Sequence, residues 1–460
     1  MKTVSILAGF LLLAMICGNV NAKTTFTDKS EKNNFIPLTR TIAKANGLYS
    51  TKGVYIVNAN DATIKTQLTL RIGDIILAVN GREVTRPVEV TPAKIAKEKG
   101  DIVSYKIWRD RKVHTLNLRK PSASNIENSD QFDVIYDEVA FFSGSIRCVI
   151  TKPKGVLKAP AILLVQSGTS GQVCNVPEDN IYRQLTDNLT KKGYICMRVE
   201  RVGVGENIDQ MNSDKTDVFV EALAFEKALQ QLKKYEFVDS TKTFLFGHCT
   251  GGKVSSLLGS RNNVKGVIVY GSCLNKVSEY LNNTIWTRLL NSGCDQDHAV
   301  QQMQECQLVI KGIVVNKMTP TDFATANPEL TPVMYKMFNW KGGDNFMGRN
   351  AIYMQSVEKM QSWVYLQNMN TKLLAIHGTA DTEITESNLV KEMVDAANYY
   401  RPGQATMVEL NNTDHNFAKV GSLKKSYEFQ KSPDYSIFAP IAFDNEVVNT
   451  VDNWIKQTNS

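Results

Sequence analysis

The chain of 460 residues is 43% hydrophobic and 22% charged, and its formal net charge at pH 7 is +7. The length suggests two to four domains, and the composition is close to that of an ordinary soluble protein, which excludes wholesale disorder, collagen and coiled coil. The basic residues are scattered rather than clustered, so no nucleic-acid partner is predicted.

The amino terminus is predicted to be a cleaved export signal that spans residues 1–22. Lys2 supplies its positive charge, an apolar run covers residues 6–16, and Ala22 ends a pattern of small residues. The run is too short to span a bilayer, and no later segment reaches the roughly 18 apolar residues that a membrane helix needs. We therefore expect a secreted or periplasmic protein without a membrane span after cleavage, with a retained anchor as the alternative.

Cysteine usage gives no sign of a metal site. Of the eight cysteines, Cys17 lies in the signal, and none of the others forms a CxxC pair. The mature chain keeps an odd number of cysteines, so at least one thiol is free in a compartment that permits disulfides. Cys294 and Cys306 are near enough in sequence to pair, and the pairing stays open. No metal or other cofactor is predicted.

A small β-rich domain is predicted over residues 45–120, after a flexible lead-in at 23–44. Residues 70–84, LRIGDIILAVNGREV, combine a turn, a buried strand and an Asn-Gly hairpin turn. This segment resembles the PDZ domain. The resemblance implies a partner that is an extended peptide or a chain carboxyl terminus, bound by addition of a strand to a sheet edge.

The peptide-binding residues of this PDZ-like domain are expected just after its glycine loop. The resemblance assigns Gly53, Val54, Tyr55 and Ile56 to the loop and strand that receive the peptide carboxylate. The alternative is that the groove is empty or closed. The sequence gives the two interpretations similar weight.

An α/β domain is predicted for residues 132–460, after a polar linker at 121–131. Continuous apolar runs such as Ala161–Val165 are typical of buried parallel strands. Their alternation with helical segments predicts a mostly parallel sheet that is covered on both faces. Residues 274–362 lack such runs, apart from 308–315, and are predicted to be a helical cap inserted over the sheet.

The most informative segment is Gly247-His248-Cys249-Thr250-Gly251, between a predicted strand and a predicted helix. A Gly-x-Cys-x-Gly turn holds its central residue in a strained conformation, and only small residues fit on either side. The N-terminus of the following helix favours an anion at this place. A thiol there is expected to have a lowered pKa and to act as a nucleophile.

Two downstream segments complete a catalytic pattern. Asp381 ends His-Gly-Thr-Ala-Asp after one predicted strand, and His415 follows the next strand and is the only histidine after Asp381. The three segments resemble the α/β-hydrolase superfamily, in which the order is nucleophile, acid, histidine. Most members have serine in the turn, whereas dienelactone hydrolases have cysteine. The resemblance implies Cys249 as nucleophile, His415 as general base and acid, and Asp381 as the residue that orients His415.

The same resemblance implies an oxyanion hole of two backbone N–H groups. One belongs to Thr250 and the other to Thr169, in the loop after the first core strand. His248, next to the nucleophile, is interpreted as structural. Residues 247–253 also fit the phosphate loop GxxxxGK, but Val254 stands where Ser or Thr would hold magnesium, so a nucleotide-hydrolysing enzyme is not predicted.

The sequence therefore predicts an exported α/β-hydrolase with an acyl-enzyme intermediate on Cys249. Its substrate is expected to be a small acyl compound or a peptide, with ester, lactone and thioester bonds favoured over amides. The alternative is a peptide-binding PDZ protein whose hydrolase domain is a catalytically degenerate scaffold with an inert thiol. A third version joins the two, with the PDZ-like domain delivering a peptide to the site.

Overall fold

The structure is a computed structural model, and it describes residues 35–57, 73–90, 102–119, 127–142, 144–168, 171–204, 216–431 and 435–459. These residues fall into two compact units, one within residues 21–126 and one from residue 127 onward. The predicted export signal and Thr169 lie outside the described residues. Every helix among the described residues is too short or too polar to span a lipid bilayer.

The smaller unit is built on an antiparallel sheet. Its elements are β1 (Phe35–Pro37), α1 (Arg40–Ala45), β2 (Val54–Ile56), β3 (Ile75–Val79), β4 (Arg82–Glu83), β5 (Ile102–Arg109) and β6 (Lys112–Arg119). The strand order is β1-β2-β3-β5-β6, and β4 pairs with β3. Asn80 and Gly81 join β3 to β4 with φ of 47° and 80°, the positive values that a tight hairpin turn requires.

The structure differs from the sequence prediction in both segments that flank the smaller domain, the lead-in at 23–44 and the linker at 121–131. β1 and all but the last residue of α1 lie within residues 23–44, which were expected to be a flexible lead-in, and Leu38 and Ala43 are buried there. Glu127, in the expected linker 121–131, is buried in the larger unit. β1 and α1 are too short to show a hydrophobic period, and Glu127 belongs to no helix or strand. In both segments the sequence pattern therefore shows only a polar composition.

The larger unit begins with a hairpin and continues as alternating strands and helices. These first elements are β7 (Phe132–Phe141), β8 (Gly144–Pro153), β9 (Ala159–Val165), α2 (Ile181–Lys191), β10 (Ile195–Val199), α3 (Val218–Leu232), β11 (Val238–His248), α4 (Thr250–Arg261) and β12 (Gly266–Tyr270). Two of these helices begin where their sequences indicate: α2 and α3 start after Asn180 and Asp217, whose side chains accept backbone N–H bonds.

The predicted helical cap follows β12. It contains α5 (Val277–Asn291), α6 (Gln296–Ile310), α7 (Pro320–Ala326), α8 (Thr331–Phe338), the short hairpin β13 (Asn345–Phe346) and β14 (Arg349–Asn350), α9 (Ala351–Val357) and α10 (Ser362–Asn368). The apolar run 308–315 lies in the end of α6 and in a π-helical turn, Lys311–Val315. A short apolar run fits a buried helix as well as a strand, so its strand-like appearance carried no information.

The remaining elements complete the sheet. They are β15 (Lys372–Gly378), α11 (Ser387–Tyr400), β16 (Ala405–Leu410), α12 (Leu423–Lys431), α13 (Tyr435–Ile441) and α14 (Glu446–Asn459). The strand order is β16-β15-β12-β11-β9-β10-β8-β7. β8 is antiparallel to both of its neighbours, and the strands β9, β10, β11, β12, β15 and β16 are parallel to one another. The carboxyl ends of the parallel strands therefore meet at one edge, where sites on such sheets lie.

Successive residues of the central strands face two separate cores. In β9, Leu163 and Val165 lie in a core shared with α3, α4 and the cap. Ile162 and Leu164 lie in a second core, on the other face of the sheet, shared with α2 and α14. Both faces of the sheet are thus covered, which explains why its strands are continuous apolar runs.

A buried ion pair stands near the start of the larger unit. The Glu127 carboxylate accepts hydrogen bonds from the Arg198 guanidinium, one of them at 3.1 Å, and both side chains are 1% exposed. Arg183 lies 3.6 Å from the same carboxylate. Loss of this carboxylate would leave the buried Arg198 charge without its partner, which is costly in a medium of low dielectric.

We therefore expect Glu127→Ala to lower the free energy of unfolding by about 3–5 kcal/mol. The measurement is the denaturation midpoint followed by circular dichroism. The control is Glu138→Ala, which removes an exposed carboxylate paired with Arg147, and about 1 kcal/mol or less is expected for it. Similar shifts for the two variants would show that the buried pair is not important for stability.

Candidate active site

Cys249 occupies the turn between β11 and α4, with φ of 55° and ψ of −121°. A positive φ is strained for a residue with a side chain, and such strain is retained where the surroundings enforce it. Here the Cys249 N–H donates to the Tyr270 carbonyl at 2.9 Å, and the Cys249 carbonyl accepts from the Gly252 N–H at 2.9 Å. The turn places the thiol at the carboxyl edge of the sheet, beside the N-terminus of α4.

The two glycines that flank this turn are required by close backbone contacts. A Cβ on Gly251 would lie 2.1 Å from the Val165 carbonyl oxygen, and one on Gly247 would lie 2.4 Å from the Gly251 carbonyl oxygen. Both contacts are with backbone atoms, which move only if β9 or α4 moves. The Gly-x-Cys-x-Gly pattern therefore has a steric cause.

Gly251→Ala is expected to destabilise the larger unit by about 3 kcal/mol or more, as overpacking against a backbone does. Gly155→Ala is the control: its φ is 72°, but a Cβ there meets nothing within 4 Å, so only a backbone cost of about 1 kcal/mol is expected. Chemical denaturation of both variants checks this. Equal losses would mean that the contact with β9 is not the reason for the glycine.

His415 and Asp381 are joined directly. The distance from His415 Nδ1 to Asp381 Oδ2 is 2.8 Å. The other oxygen, Oδ1, accepts the backbone N–H groups of Glu383 at 2.7 Å and Ile384 at 2.9 Å. With both oxygens occupied, the carboxylate is held in one orientation. His415 Nε2 has no hydrogen bond to a nitrogen or oxygen atom of the described residues.

Cys249 and His415 shift each other's pKa in opposite directions. Burial alone would raise the pKa of the Cys249 thiol, but the charge of His415, aided by the Ser167 side chain and the Thr250 backbone N–H, lowers it below its ordinary value. Burial also opposes a charged His415, but the Asp381 carboxylate and the Cys249 thiolate raise the pKa of His415 well above its ordinary value. The arrangement therefore favours a thiolate–imidazolium pair.

A chain of hydrogen bonds runs behind these residues. The Ser167 N–H donates to the Tyr182 hydroxyl at 3.1 Å, that hydroxyl lies 2.8 Å from His248 Nδ1, and His248 Nε2 lies 2.9 Å from the His415 carbonyl oxygen. Burial and the charge of His415 hold the pKa of His248 well below its ordinary value. His248 is therefore neutral, and its proton is on Nε2, because a carbonyl can only accept. It supports the backbone of His415.

Helix α5 of the cap binds the loop that carries Asp381. The Glu383 carboxylate accepts from the Tyr280 hydroxyl and the Arg288 guanidinium, and Thr284 Oγ1 donates to the Glu383 carbonyl at 3.0 Å. The three α5 residues are spaced four apart and share one helix face. The cap thereby fixes the loop from which Asp381 reaches His415. No sequence pattern marked these contacts.

One of the two predicted oxyanion donors is described. Thr250 is the first residue of α4, and N–H groups at a helix N-terminus lack partners within the helix. Thr169, the residue after Gly168 in the sequence, lies outside the described residues. Among the described residues, no group of three or more His, Cys, Asp or Glu side chains could hold a metal ion. Cys294 and Cys306 are both free thiols.

The residues predicted to bind peptide in the smaller unit lie in, or directly before, an interior strand of its sheet. β2, which contains three of them, pairs with β1 on one side, Tyr55 opposite Ile36, and with β3 on the other, Tyr55 opposite Ile75. Gly53 accepts the Leu38 N–H at 3.0 Å. The backbone from Gly53 through Val54 and Tyr55 to Ile56 therefore offers no unpaired edge. An apolar run after a glycine does not distinguish an interior strand from an edge strand.

Comparisons with known proteins agree with this architecture. The BD-FAE family model, which is α/β-hydrolase-like, matches residues 150–393, and the PDZ domain model matches residues 30–119. No curated protein matches the chain.

Several solved structures resemble the chain at low identity. Est1E from Butyrivibrio proteoclasticus is 14% identical with a TM-score of 0.41, and the match covers 67% of this chain and 99% of that one. Carboxyl esterase 2 from the mycorrhizal fungus Tuber melanosporum is 14% identical with a TM-score of 0.40, over 72% and 89%. The acylaminoacyl peptidase of Pyrococcus horikoshii is 13% identical with a TM-score of 0.41, over 76% and 49%.

Proposed function

This chain belongs to the BD-FAE family of α/β-hydrolase-like domains and is an esterase-like hydrolase, and on that premise we propose that it works through an acyl-enzyme on Cys249. His415 is the general base and acid, and Asp381 orients it. The observation that most supports the proposal is the 2.8 Å contact between His415 Nδ1 and Asp381 Oδ2, at the sheet edge where Cys249 holds its strained turn.

The proposed reaction has two halves. The Cys249 thiolate attacks the substrate carbonyl carbon, a C–S bond forms, and the negative charge on oxygen is accepted by the N–H groups of Thr250 and Thr169. The bond to the leaving group breaks as the His415 imidazolium gives that group its proton. Water then attacks the thioester while neutral His415 takes a proton from it. The acid is released, and the thiolate–imidazolium pair is restored.

The nucleophile sets the preferred leaving group. A tetrahedral intermediate on sulfur partitions between expulsion of the substrate's leaving group and return of the thiolate. Thiolate is a better leaving group than alkoxide or amide nitrogen, because a thiol is the stronger acid. We therefore propose that thioesters, activated esters and lactones are hydrolysed faster than plain amides, with peptide bonds the least favoured.

A substrate panel tests this proposal. An aryl ester, a lactone, a thioester and a peptide amide are assayed with the mature protein and with Cys249→Ala. We expect turnover of the first three that depends on Cys249, with the amide slowest. Absence of Cys249-dependent turnover across the whole panel would contradict the proposal, and the inert-scaffold alternative would replace it.

We also propose that the enzyme is exported, because residues 1–22 have the charged, apolar and small-residue regions of a secretory signal. The site of action is then the periplasm or the outside of the cell. Fractionation of the producing cell with amino-terminal sequencing tests this. A mature chain that begins near residue 23 is expected, and an intact Met1 in the cytosolic fraction would contradict the proposal.

A second candidate function concerns the PDZ domain, and the match over residues 30–119 favours it. We propose that an extended peptide adds to β1, the outermost described strand next to β2. The Leu38 N–H donates to the Gly53 carbonyl. Successive residues of an antiparallel strand direct their backbone N–H and C=O groups alternately toward and away from the partner strand, so the backbone groups of Pro37 point away from β2. Since proline has no N–H, the edge lacks one donor, and we expect weak peptide binding.

Titration of the full chain with a library of labelled peptides tests this second function. Each peptide is measured with a free and with an amidated carboxyl terminus, since recognition of a chain end requires the carboxylate. Carboxylate-dependent binding supports peptide capture. Tight carboxylate-dependent binding combined with an unreactive Cys249 would favour the peptide-binding alternative over the hydrolase. Equal binding of both peptide forms would contradict end recognition.

A further inference from the structure

Tyr270, the last residue of β12, is bound to the backbone next to two of the proposed catalytic residues. Its carbonyl accepts the Cys249 N–H at 2.9 Å. Its hydroxyl donates to the carbonyl of Asp414, the residue before His415, at 2.6 Å. One residue of a central strand therefore links the turn of the nucleophile to the loop of the histidine.

Tyr270 is itself held in one place. It pairs with His248 of β11 on one side and with Ile376 of β15 on the other. The residue is 0% exposed, and the centre of its ring lies 4.7 Å from that of Phe417. Burial raises the pKa of Tyr270 well above its ordinary value. The hydroxyl therefore keeps its proton and can donate to the carbonyl that it faces.

The backbone of His415 is held on both sides. Tyr270 binds the carbonyl of Asp414, before His415, and His248 Nε2 lies 2.9 Å from the carbonyl of His415 itself. The Asp414 side chain is also fixed, because its Oδ1 accepts the Ala418 N–H at 2.8 Å. The peptide groups that flank a residue set the direction in which its side chain leaves the backbone. These contacts from β11 and β12 therefore set where the imidazole points.

Gly271, directly after Tyr270, leaves room for the contact between His415 and Asp381. A Cβ on Gly271 would lie 2.9 Å from His415 Nδ1 and 2.9 Å from Asp381 Oδ2, the two atoms that are joined at 2.8 Å. The φ of Gly271 is 54°. Its N–H donates to the Ile376 carbonyl at 3.1 Å, which ties it to the strand that leads to Asp381. The backbone of Gly271 thus packs directly against the proposed catalytic pair.

We propose that the end of β12, Tyr270 and Gly271, is a positioning element for the proposed catalytic residues. The Tyr270 hydroxyl sets where His415 lies relative to the nucleophile turn, which the carbonyl of the same residue holds. Gly271 keeps the contact between His415 and Asp381 closed. The inference rests on the proposed function, because it concerns how the imidazole is placed to exchange protons with the thiol, the leaving group and water.

Tyr270→Phe tests the role of the hydroxyl, because it removes one oxygen atom and keeps the ring and the backbone carbonyl. We expect kcat on the best thioester or aryl ester to fall about 10-fold at a KM within about twofold of the wild type, since a displacement of about 1 Å can cost roughly 100-fold. A structural loss of folded protein would lower the activity of every substrate without changing the properties of the thiol.

The pKa of Cys249 provides a readout that needs no turnover. It is measured as the pH dependence of alkylation by iodoacetamide, with the modification quantified at Cys249 by peptide mass spectrometry. In Tyr270→Phe a displaced His415 is a weaker counter-charge, so we expect this pKa to rise by about 0.5 units, a fraction of the roughly 1–3 units that a close opposite charge supplies.

Tyr194→Phe is the matched control. The Tyr194 hydroxyl donates to Asp452 Oδ1 at 2.8 Å, and the residue is 4% exposed. It precedes β10 and therefore lies at the amino end of that strand, opposite the edge that carries Cys249. Both variants lose a buried hydrogen bond, and both are expected to have a lower denaturation midpoint. Only Tyr270→Phe should change kcat and the pKa of Cys249. Equal changes in the two variants would overturn the inference.

Gly271→Ala is a second test, independent of the hydroxyl, and it also decides the inference if Tyr270→Phe does not fold. Its control is Gly155→Ala, where φ is 72° but a Cβ meets nothing within 4 Å. The Cβ at Gly271 is expected to separate His415 from Asp381, which lowers the pKa of His415. The alkaline limb of the kcat profile then moves to lower pH, whereas Gly155→Ala keeps the wild-type profile. A wild-type profile in Gly271→Ala would overturn the role of Gly271.

The proposed function and this inference fail separately. A wild type that hydrolyses no substrate contradicts the proposed function, and the pKa of Cys249 in Tyr270→Phe still decides the inference. An active wild type with an unchanged kcat or an unchanged Cys249 pKa in Tyr270→Phe overturns the inference alone. A wild-type Cys249 that does not react with iodoacetamide would overturn both.

Discussion

Replacing Cys249 by alanine is expected to lower kcat/KM for a thioester substrate by about 10⁴- to 10⁶-fold, because the attacking atom is removed and only binding and the oxyanion hole remain. Cys249→Ser is also expected to be severely impaired. A serine hydroxyl does not ionise beside His415 as the thiol does, so the ground-state ion pair is lost. Steady-state kinetics on the three proteins measures both effects.

The matched control for this prediction is Cys273→Ala. Cys273 lies in the loop after β12, is 3% exposed, and has its pKa raised by burial. Its removal is expected to leave kcat/KM within a few fold of the wild type. Retention of more than a few per cent of activity in Cys249→Ala, or an equal loss in both variants, would contradict the assignment of the nucleophile.

The second large effect is expected for Asp381→Asn, with kcat lowered by about 10⁴-fold, as for the equivalent change in other triads. An amide can donate to His415 Nδ1, which stabilises the wrong tautomer. It also removes the charge that raises the pKa of His415. The imidazolium is then lost at a lower pH, so the alkaline limb of the kcat profile moves down in pH.

The acid limb should move in the opposite direction in the same variant. With less positive charge on His415, the pKa of Cys249 rises, and the thiolate is lost at a higher pH as acid is added. The pH profile of Asp381→Asn is therefore expected to narrow from both sides. Asp295→Asn, an exposed carboxylate before α6, is the control and should retain the wild-type profile. An unchanged profile in Asp381→Asn would contradict the orienting role.

The parts of the site that sequence predicts are those with a local cause. The glycines around Cys249 are required by contacts at 2.1 and 2.4 Å, and such a requirement leaves a fixed spacing in the sequence. The buried parallel strands are apolar on both faces, so they appear as continuous runs. The order of Cys249, Asp381 and His415 then follows from strands that end at one edge.

The parts that sequence does not predict depend on partners far along the chain. Tyr270 reaches Asp414 across 144 positions, and Tyr182 reaches His248 across 66. Tyrosine occurs in strands, helices and loops, so nothing local distinguishes these residues from others of the same type. The same holds for Glu127, whose burial depends on Arg198, 71 positions away.

The sequence also could not show which strand lies at the edge of the sheet in the smaller unit, for a similar reason. β1 is only three residues long, too short for any periodic signal, and it pairs with the strand that was expected to receive a peptide. An interior strand and an edge strand of this length have the same composition. Which of them is at the edge depends on pairing, and pairing is a long-range property.

The most direct test of the proposed chemistry is the pH dependence of Cys249 alkylation in the mature protein and in His415→Ala. Both are prepared with Cys294→Ser, because Cys294 is partly exposed. The pKa values of Cys148, Cys196 and Cys306 are raised by burial to about 12, so these thiols do not interfere near neutral pH.

Cys249 is expected to react with an apparent pKa well below the roughly 8.5 of a free thiol. This pKa is expected to rise in His415→Ala, where burial of the thiolate is no longer opposed by the imidazolium. A thiol that is inert throughout, or one that titrates identically in both proteins, would contradict the thiolate–imidazolium pair.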